Sequence, residues 1–335
     1  MRARLSVAAS AIAAITFLCT SSCGGSSGAP AGPSSTSTGP NACGETFSDP
    51  ECHTITIGGT TRAYLLHVPA SFQANVGALV IGLHGSNGSG ARFVATSQFS
   101  VKADQAGFAV AYPDALVSPG AGITEWNEFF NNSYGASGPD DSTFIRQLIL
   151  TIQASIHSDP RRTFVMGLSN GGFMAHRVGI EDSDLVAAIA VVEGTVVSPG
   201  LIQNVPLPRA PVSVLMLHGD TDPTVLYCGG PNVASQEQSF NYWMSASADA
   251  CASVDTSDPI CDPQRNATSV SAKRASACRA GTEVQFYKLQ GGVHQWYLVP
   301  MNVAGQSPFN PAFTAATGVT TDDIIWNFFA AHPKG

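Results

Sequence analysis

Charge is scarce in this sequence. Asp, Glu, Lys and Arg make up 12% of its 335 residues, and the net charge is −8. A negative chain without basic runs argues against a nucleic-acid partner, because binding to phosphates needs clustered positive charge. The sequence also has no C-x-x-C pair and no His at ligand spacing from a Cys, so we expect neither a metal nor another cofactor. No repeat of fixed period is visible.

The N-terminal apolar run is too short to span a membrane. Residues 5–18 are apolar and follow Arg2 and Arg4, which is typical of a signal peptide. Cys23 comes next, as in bacterial lipoprotein signals, and a linker rich in Gly, Ser, Pro and Thr follows it. We predict a signal peptide at 1–22, a lipid anchor on Cys23 with a flexible linker at 23–42, and a folded domain at 43–335.

Two locations are open for the exported protein. The protein is either held at the membrane through the lipid on Cys23 alone, or cleaved by an ordinary signal peptidase and released into the medium. Six cysteines remain once Cys19 and Cys23 are set aside: 43, 52, 228, 251, 261 and 278. An even number in an exported protein predicts three disulfides, whose pairing the sequence cannot choose.

From Thr54 on, apolar runs alternate with helical patterns. Buried strands are predicted at 78–83, 107–113, 163–166, 187–194, 213–219 and 283–289, after an antiparallel hairpin at 54–59 and 62–68. Helices are predicted at 142–156 and 321–332. This alternation predicts an α/β fold with one mostly parallel, doubly wound sheet and helices on both faces.

A serine stands between two glycines at Gly167-Leu168-Ser169-Asn170-Gly171, where a predicted strand turns into a predicted helix. One interpretation is a glycine-rich turn with Ser169 as the helix N-cap. The other is a nucleophile elbow, in which the glycines let strand and helix approach closely and the serine is exposed above the sheet edge. The second interpretation needs a base, an acid and an oxyanion hole elsewhere in the chain.

Those groups follow other predicted strands, at the sheet edge where reacting groups collect. Asp222 comes after the strand at 213–219 and can orient a histidine, while Asp220 is expected to hold its loop by bonding backbone N–H groups. His294 comes after the strand at 283–289, on a glycine loop, and is the candidate base. The order Ser169, Asp222, His294 is that of α/β-hydrolases.

Two backbone N–H groups are candidates for the oxyanion hole. One belongs to Asn170, directly after the serine, and the other to Ser86, in a Gly/Ser turn after the strand at 78–83. The aromatic residues Trp126 and Trp296 are expected either to line a cleft for the acyl group or to lie in the core. Phe129, Phe130 and Tyr134 have the same two alternatives.

Eight segments together resemble the poly(3-hydroxybutyrate) depolymerase and feruloyl esterase group of α/β-hydrolases, which includes LpqC-like lipoproteins. They are RAYLLHVP, IGLHGSNGSG, FAVAYPDA, GPDDSTFIRQLI, RRTFVMGLSNGGFMAHR, HGDTDPTVLYCGG, GGVHQW and IIWNFF. The resemblance implies Ser169 as nucleophile, Asp222 as acid and His294 as base, and a structural role for Asp141. It also favours the disulfides Cys43–Cys52 and Cys251–Cys278.

The sequence therefore predicts an exported, monomeric serine esterase that acts on ester substrates in the manner of a polyhydroxybutyrate depolymerase. A feruloyl or acetyl esterase acting on plant polysaccharide is the alternative within the same chemistry. A peptidase would use the same triad, but no propeller or large cap domain precedes the predicted core. The alternative of another class is a non-catalytic lipoprotein that binds a polymer, and it would not need an intact triad.

Overall fold

One large β-sheet carries the fold. The computed structural model describes residues 50–128, 138–197, 202–245, 249–261, 272–289, 291–297 and 320–335, all within the compact unit Ser37–Gly335. The strands are β1 (Glu51–Ile57), β2 (Thr60–His67), β3 (Leu79–Leu83), β4 (Ala109–Pro113), β5 (Leu116–Val117), β6 (Thr124–Glu125), β7 (Thr163–Leu168), β8 (Ala188–Val192), β9 (Ser213–Gly219), β10 (Ser253–Val254), β11 (Ala272–Ser276) and β12 (Val284–Leu289).

The sheet has ten strands in the order β1-β2-β4-β3-β7-β8-β9-β12-β11-β10, while β5 and β6 form a separate two-stranded sheet. The six strands from β4 to β12 run parallel to one another. Antiparallel strands extend the sheet at both ends. The predicted mostly parallel sheet is confirmed. Five of its parallel strands are buried on both faces, as their mainly apolar sequences require, while in β12 Gln285 and Tyr287 are half-buried.

Six helices described by the structure cover the sheet. They are α1 (Gly90–Ser97), α2 (Phe99–Ala106), α3 (Asp141–Ile156), α4 (Asn170–Glu181), α5 (Gln236–Ser245) and α6 (Thr321–Ala331). Side chains of α3, α4 and α5 form one hydrophobic cluster with one set of strand residues, and those of α1, α2 and α6 form a second cluster with the alternate set. Because neighbouring strand residues point to opposite faces, the two clusters lie on the two faces of the sheet.

Local signals explain where the predicted helices begin. The Asp140 carboxylate accepts a hydrogen bond from the backbone N–H of Thr143 at 3.0 Å and so caps α3. Thr320 and Asp323 form a capping box at the start of α6. Within the described part of the chain, none of the helices has the length and apolar character needed to cross a bilayer.

Two disulfides join described residues, Cys228–Cys261 and Cys251–Cys278. The second is the predicted bridge of that segment and is confirmed. Cys52 is also disulfide-bonded, but Cys43, its predicted partner, lies outside the described residues. Disulfides persist in oxidising compartments, which agrees with the expectation of export.

Candidate active site

The turn from β7 to α4 holds Ser169 in a strained conformation. Its φ and ψ angles are 56° and −122°, a region that costs a non-glycine residue about 1–3 kcal/mol. The flanking glycines are sterically required, because a Cβ on Gly167 would lie 2.1 Å from the carbonyl oxygen of Gly171. The Ser169 side chain makes no cap hydrogen bond with the helix. This is the geometry of the nucleophile elbow and not that of an N-cap.

His294 reaches Ser169 from the loop after β12. Its Nε2 atom lies 2.8 Å from Ser169 Oγ. Asp220 fixes this loop by accepting a hydrogen bond from the backbone N–H of Gly291 at 2.6 Å, and the Thr221 backbone N–H and hydroxyl both donate to the carbonyl of Gly292. Asp220 thus makes the backbone bond expected of it, and the loop after β9 holds the loop after β12.

Asp222 completes the hydrogen-bonded chain. Its Oδ2 atom lies 2.7 Å from His294 Nδ1, while Oδ1 accepts hydrogen bonds from the backbone N–H groups of Thr224 and Val225. A carboxylate can only accept, so Nδ1 carries the ring proton and Nε2 is left to accept the proton of Ser169. The structure therefore joins Asp222, His294 and Ser169 in the order that a triad needs.

The charge state of Asp222 follows from its partners. Burial by itself raises the pKa of this carboxyl, but the contacts with His218 and His294 outweigh burial and hold the pKa well below its usual range. Asp222 is 4% exposed, so water screens these contacts weakly. An ionised Asp222 can stabilise the positive charge that His294 gains when it takes a proton.

The loop after β3 lies against the elbow. A Cβ on Gly85 would come 3.3 Å from the Ser169 Cβ, a tight contact that glycine avoids. His84 fixes the loop: Nδ1 donates to the carbonyl of Gly85 at 2.7 Å and Nε2 accepts from the backbone N–H of Ala115 at 3.0 Å. Burial lowers the pKa of His84 to about 4, so the ring stays neutral. In the described part of the chain, the backbone N–H of Ser86 has no acceptor.

Asn170 begins α4 directly after the serine. Its side chain is tied to the backbone of Trp126 on both sides, accepting from the N–H at 2.6 Å and donating to the carbonyl at 3.2 Å. The side chain is therefore held away from the serine, and the backbone N–H is what Asn170 offers at the elbow.

Trp126 and Trp296, the two tryptophans predicted to line a cleft or to lie in the core, lie in the core. Trp126 is fully buried and its indole N–H donates to the carbonyl of His84 at 2.9 Å. Trp296 is 6% exposed, packs edge-on against Phe93 and donates to Asp322. This burial favours the core alternative over the cleft alternative for both rings. Phe129, Phe130 and Tyr134 lie outside the described residues.

Two buried groups lie beside Asp222, and sequence reasoning missed one of them, Glu193. Glu193 follows β8 and His218 lies in β9; each is 0% exposed. His218 Nε2 is 3.3 Å from Glu193 Oε2 and 3.4 Å from Asp222 Oδ2. Glu193 is the last residue but one of the predicted strand at 187–194, so searching every strand end for carboxylates would have found it.

The cluster of Glu193, His218 and Asp222 has the residue types of a metal site. However, His218 Nε2 lies 2.7 Å from the carbonyl oxygen of Val225. A carbonyl accepts only from a donor, so this nitrogen carries a proton and has no lone pair for a metal. The donor set does not fit a metal ion in this arrangement.

Comparison with known protein families assigns this chain to a family of esterases. Residues 62–254, more than half of the chain, match the family described as Esterase PHB depolymerase. The protein named "Putative esterase NocK" from Nocardia uniformis subsp. tsuyamanensis is 27% identical over 297 residues, covering 82% of this chain and 80% of that protein. Feruloyl esterase B from Piromyces equi is 25% identical over 243 residues, covering 70% of this chain. Those residues are 42% of the feruloyl esterase, so the chain spans less than half of it.

Solved structures agree on the fold. An acetyl xylan esterase from Aspergillus awamori superposes with a TM-score of 0.53 at 15% identity, covering 84% of this chain and 99% of that one. A structure called sOPH superposes with a TM-score of 0.55 at 18% identity, covering 88% of this chain and 91% of that one. Together with the sheet order, these likenesses identify the α/β-hydrolase fold.

Proposed function

The chain belongs to the Esterase PHB depolymerase family, and from that premise we propose that it is a serine esterase whose acyl-enzyme forms on Ser169. The observation that carries the proposal is the pair of contacts at His294, with Nε2 at 2.8 Å from Ser169 Oγ and Nδ1 at 2.7 Å from Asp222 Oδ2. Nucleophile, base and acid are then within hydrogen-bond reach before substrate arrives.

The proposed reaction has two halves. His294 Nε2 takes the proton of Ser169 as Oγ attacks the ester carbonyl carbon, and the resulting imidazolium gives that proton to the departing alcohol. Water then attacks the acyl carbon as His294 takes one of its protons. The acyl–oxygen bond to Ser169 breaks, His294 returns the proton to Ser169 Oγ, and the carboxylic acid leaves. Asp222 stays ionised throughout and holds the Nδ1 proton of His294.

The oxyanion is proposed to bind to the backbone N–H groups of Ser86 and Asn170. Both flank the serine: Asn170 follows it in the chain, and the loop of Ser86 touches it through Gly85. Backbone donors suit this role because the fold fixes them before the reaction, so no reorganisation is needed as charge develops.

The substrate is proposed to be a hydroxyalkanoate ester, as in a polyhydroxybutyrate depolymerase. Family membership supports this assignment. Relatives named feruloyl esterase and acetylxylan esterase support the alternative of an acyl group on plant polysaccharide. Hydrolysis of hydroxybutyrate oligomers, methyl ferulate and acetylated xylan, measured side by side, separates the three by kcat/KM.

The proposed export follows from the N-terminus and agrees with the disulfides. Residues 1–22 would be removed, Cys23 would carry the lipid, 23–42 would act as the tether, and 43–335 would be the monomeric catalytic domain. Acyl chains contribute about 0.8 kcal/mol per buried CH2, so two or three chains give stable attachment. Cys23→Ala should then release active enzyme into the medium. Wild-type protein found wholly in the medium, processed at another residue, would contradict the anchor.

Activity on p-nitrophenyl butyrate tests the proposed chemistry. Wild-type protein should hydrolyse the ester, and Ser169→Ala should lose about 10⁴–10⁶ in kcat while keeping its thermal unfolding midpoint. A wild-type protein without activity on any ester of the panel would favour the polymer-binding alternative.

A further inference from the structure

Glu193 is a buried acidic residue beside the triad that the proposed mechanism does not use. It is 0% exposed and follows β8, the strand next to the one that delivers Asp222. Its φ angle is 52°, in the left-handed region that a residue with a long side chain adopts rarely. The fold therefore sends this side chain inward at a conformational cost.

Both Glu193 oxygens lie close to one backbone donor. The N–H of Gly219 is 3.0 Å from Oε1 and 3.1 Å from Oε2. Gly219 ends β9 three residues before Asp222, and one side-chain ligand atom each of Glu193, His218 and Asp222 lies within 4.8 Å of the others. Two carboxyl groups therefore share a buried site with one imidazole.

Hydrogen bonds show that this imidazole is neutral. His218 Nε2 donates to the carbonyl of Val225 at 2.7 Å. The Gln236 amide nitrogen, which donates to the carbonyl of Gly194 at 3.1 Å, lies 3.0 Å from His218 Nδ1. An amide NH2 only donates, so Nδ1 accepts and carries no proton. His218 thus offers no positive charge to balance two carboxylates.

No Lys or Arg in the described residues forms an ion pair with Glu193 or Asp222. Two ionised carboxylates this close in a buried site repel strongly, and one of them keeps its proton. Asp222 is the better stabilised of the two as an anion, because it accepts hydrogen bonds from two backbone N–H groups and from His294 Nδ1. Glu193 receives one backbone N–H.

We propose that Glu193 is a positioning residue of the triad, which keeps its carboxyl proton and donates it in a hydrogen bond to the Asp222 carboxylate. The inference rests on the proposed function of Ser169, Asp222 and His294. The bond holds the Asp222 side chain in line with His294. It also leaves one negative charge in the cluster, matched to one imidazolium in the transition state.

The electrostatics of the site agree with this assignment. Burial first, and then the Asp222 carboxylate, raise the pKa of Glu193 well above its usual value. Among the described residues, the ionisable side chains that face it are Asp222 and His218 from β9 and its loop, and Tyr297 from the loop after β12. Tyr297 is itself neutral, since burial raises its pKa and Glu193 raises it further.

Two substitutions separate the roles of proton and carboxylate. Glu193→Gln keeps a donor toward Asp222 and an acceptor for Gly219, without any charge. Glu193→Leu keeps the approximate volume but removes the donor. The assay is the pH dependence of kcat/KM for p-nitrophenyl butyrate, whose acid limb reports the free-enzyme pKa of His294. Glu283→Gln, at the other end of β12 from His294, is the matched control.

We expect Glu193→Gln to keep kcat within about threefold and to leave the acid limb in place, because the proton is already on the wild-type side chain. Glu193→Leu should lose about tenfold in kcat at nearly constant KM, the effect of one hydrogen bond to a charged group. Glu283→Gln should match wild type in kcat and in the position of the acid limb.

A shift of the acid limb to lower pH by about one unit or more in Glu193→Gln would overturn the inference, because it would mean that a negative charge had been removed. Wild-type kcat in a folded Glu193→Leu would overturn it as well. If Glu193→Leu does not fold, the Glu193→Gln profile still decides. Loss of the proposed function is recognised separately, by a Ser169→Ala variant as active as wild type.

Discussion

Replacing Asp222 by Asn tests whether Asp222 is the triad acid, because it changes which nitrogen of His294 carries the ring proton. Asp222 Oδ1 accepts from the backbone N–H groups of Thr224 at 2.7 Å and Val225 at 3.0 Å, so an Asn side chain keeps its oxygen on these donors. The amide NH2 then faces His294 Nδ1 and makes that nitrogen an acceptor. The ring proton moves to Nε2, and His294 can no longer take the proton of Ser169.

The expected loss is large in kcat and small in stability. The wrong tautomer costs about 10⁴ in kcat, or about 5.5 kcal/mol of transition-state stabilisation. KM should change by less than about threefold, because substrate contacts are not altered. The two backbone bonds to Oδ1 remain, so the unfolding midpoint should move by a few degrees at most.

Asp220→Asn is the matched control for this variant. Asp220 accepts from the N–H of Gly291 at 2.6 Å, and an Asn oxygen at the same place can do so too. Its kcat on p-nitrophenyl butyrate should stay within about tenfold of wild type. More than about a tenth of wild-type kcat in Asp222→Asn, or an equal loss in Asp220→Asn, would refute the acid assignment.

Three further predictions concern the fold. Gly171→Ala should abolish activity, because its Cβ would lie 2.2 Å from a carbonyl oxygen of β3. Gly230→Ala should stay active, because its Cβ would meet only side-chain atoms, a leucine methyl at 3.1 Å and a valine methyl at 4.0 Å. Burial raises the pKa of Asp249 to about 7. An unfolded Asp titrates near about 4, so stability falls as pH rises between the two values, and Asp249→Asn should raise Tm at pH 8 but not at pH 5. Serines in place of Cys228 and Cys261 should lower the free energy of unfolding, measured by calorimetry, by about 3.7 kcal/mol, because this bridge spans 33 residues; an unchanged Tm would contradict that value.

Most of the parallel strands were predictable because a strand buried on both faces has a mainly apolar sequence. The strand predicted at 213–219 has the bounds of β9. β11 was not predicted, because its sequence AKRAS carries two charged residues. This strand lies next to the last strand of the sheet, and its side chains alternate between exposed and buried. The helices α1 and α2 were also missed: each has eight residues, and Gln98 separates them with a φ of 48°.

The site residues also differ in how far the local sequence reveals them. Ser169 is visible in the sequence because its neighbouring glycines are a local steric requirement. Glu193 is visible in the sequence only as a carboxylate near a strand end. Its contact with the Asp222 loop depends on β8 lying beside β9, a contact between distant segments. The sequence around an aromatic residue such as Trp126 or Trp296 does not show whether its ring lines a cleft or lies in the core. Only the tertiary packing distinguishes the two.

Covalent trapping of the nucleophile tests the central claim most directly. Diethyl p-nitrophenyl phosphate transfers its diethylphosphoryl group to an activated serine, and tandem mass spectrometry of the digested protein locates the group. We predict one group per chain, on Ser169, absent from Ser169→Ala and much slower to appear in His294→Asn. A label on another residue, or undiminished esterase activity in Ser169→Ala, would contradict the assignment of Ser169 as the nucleophile.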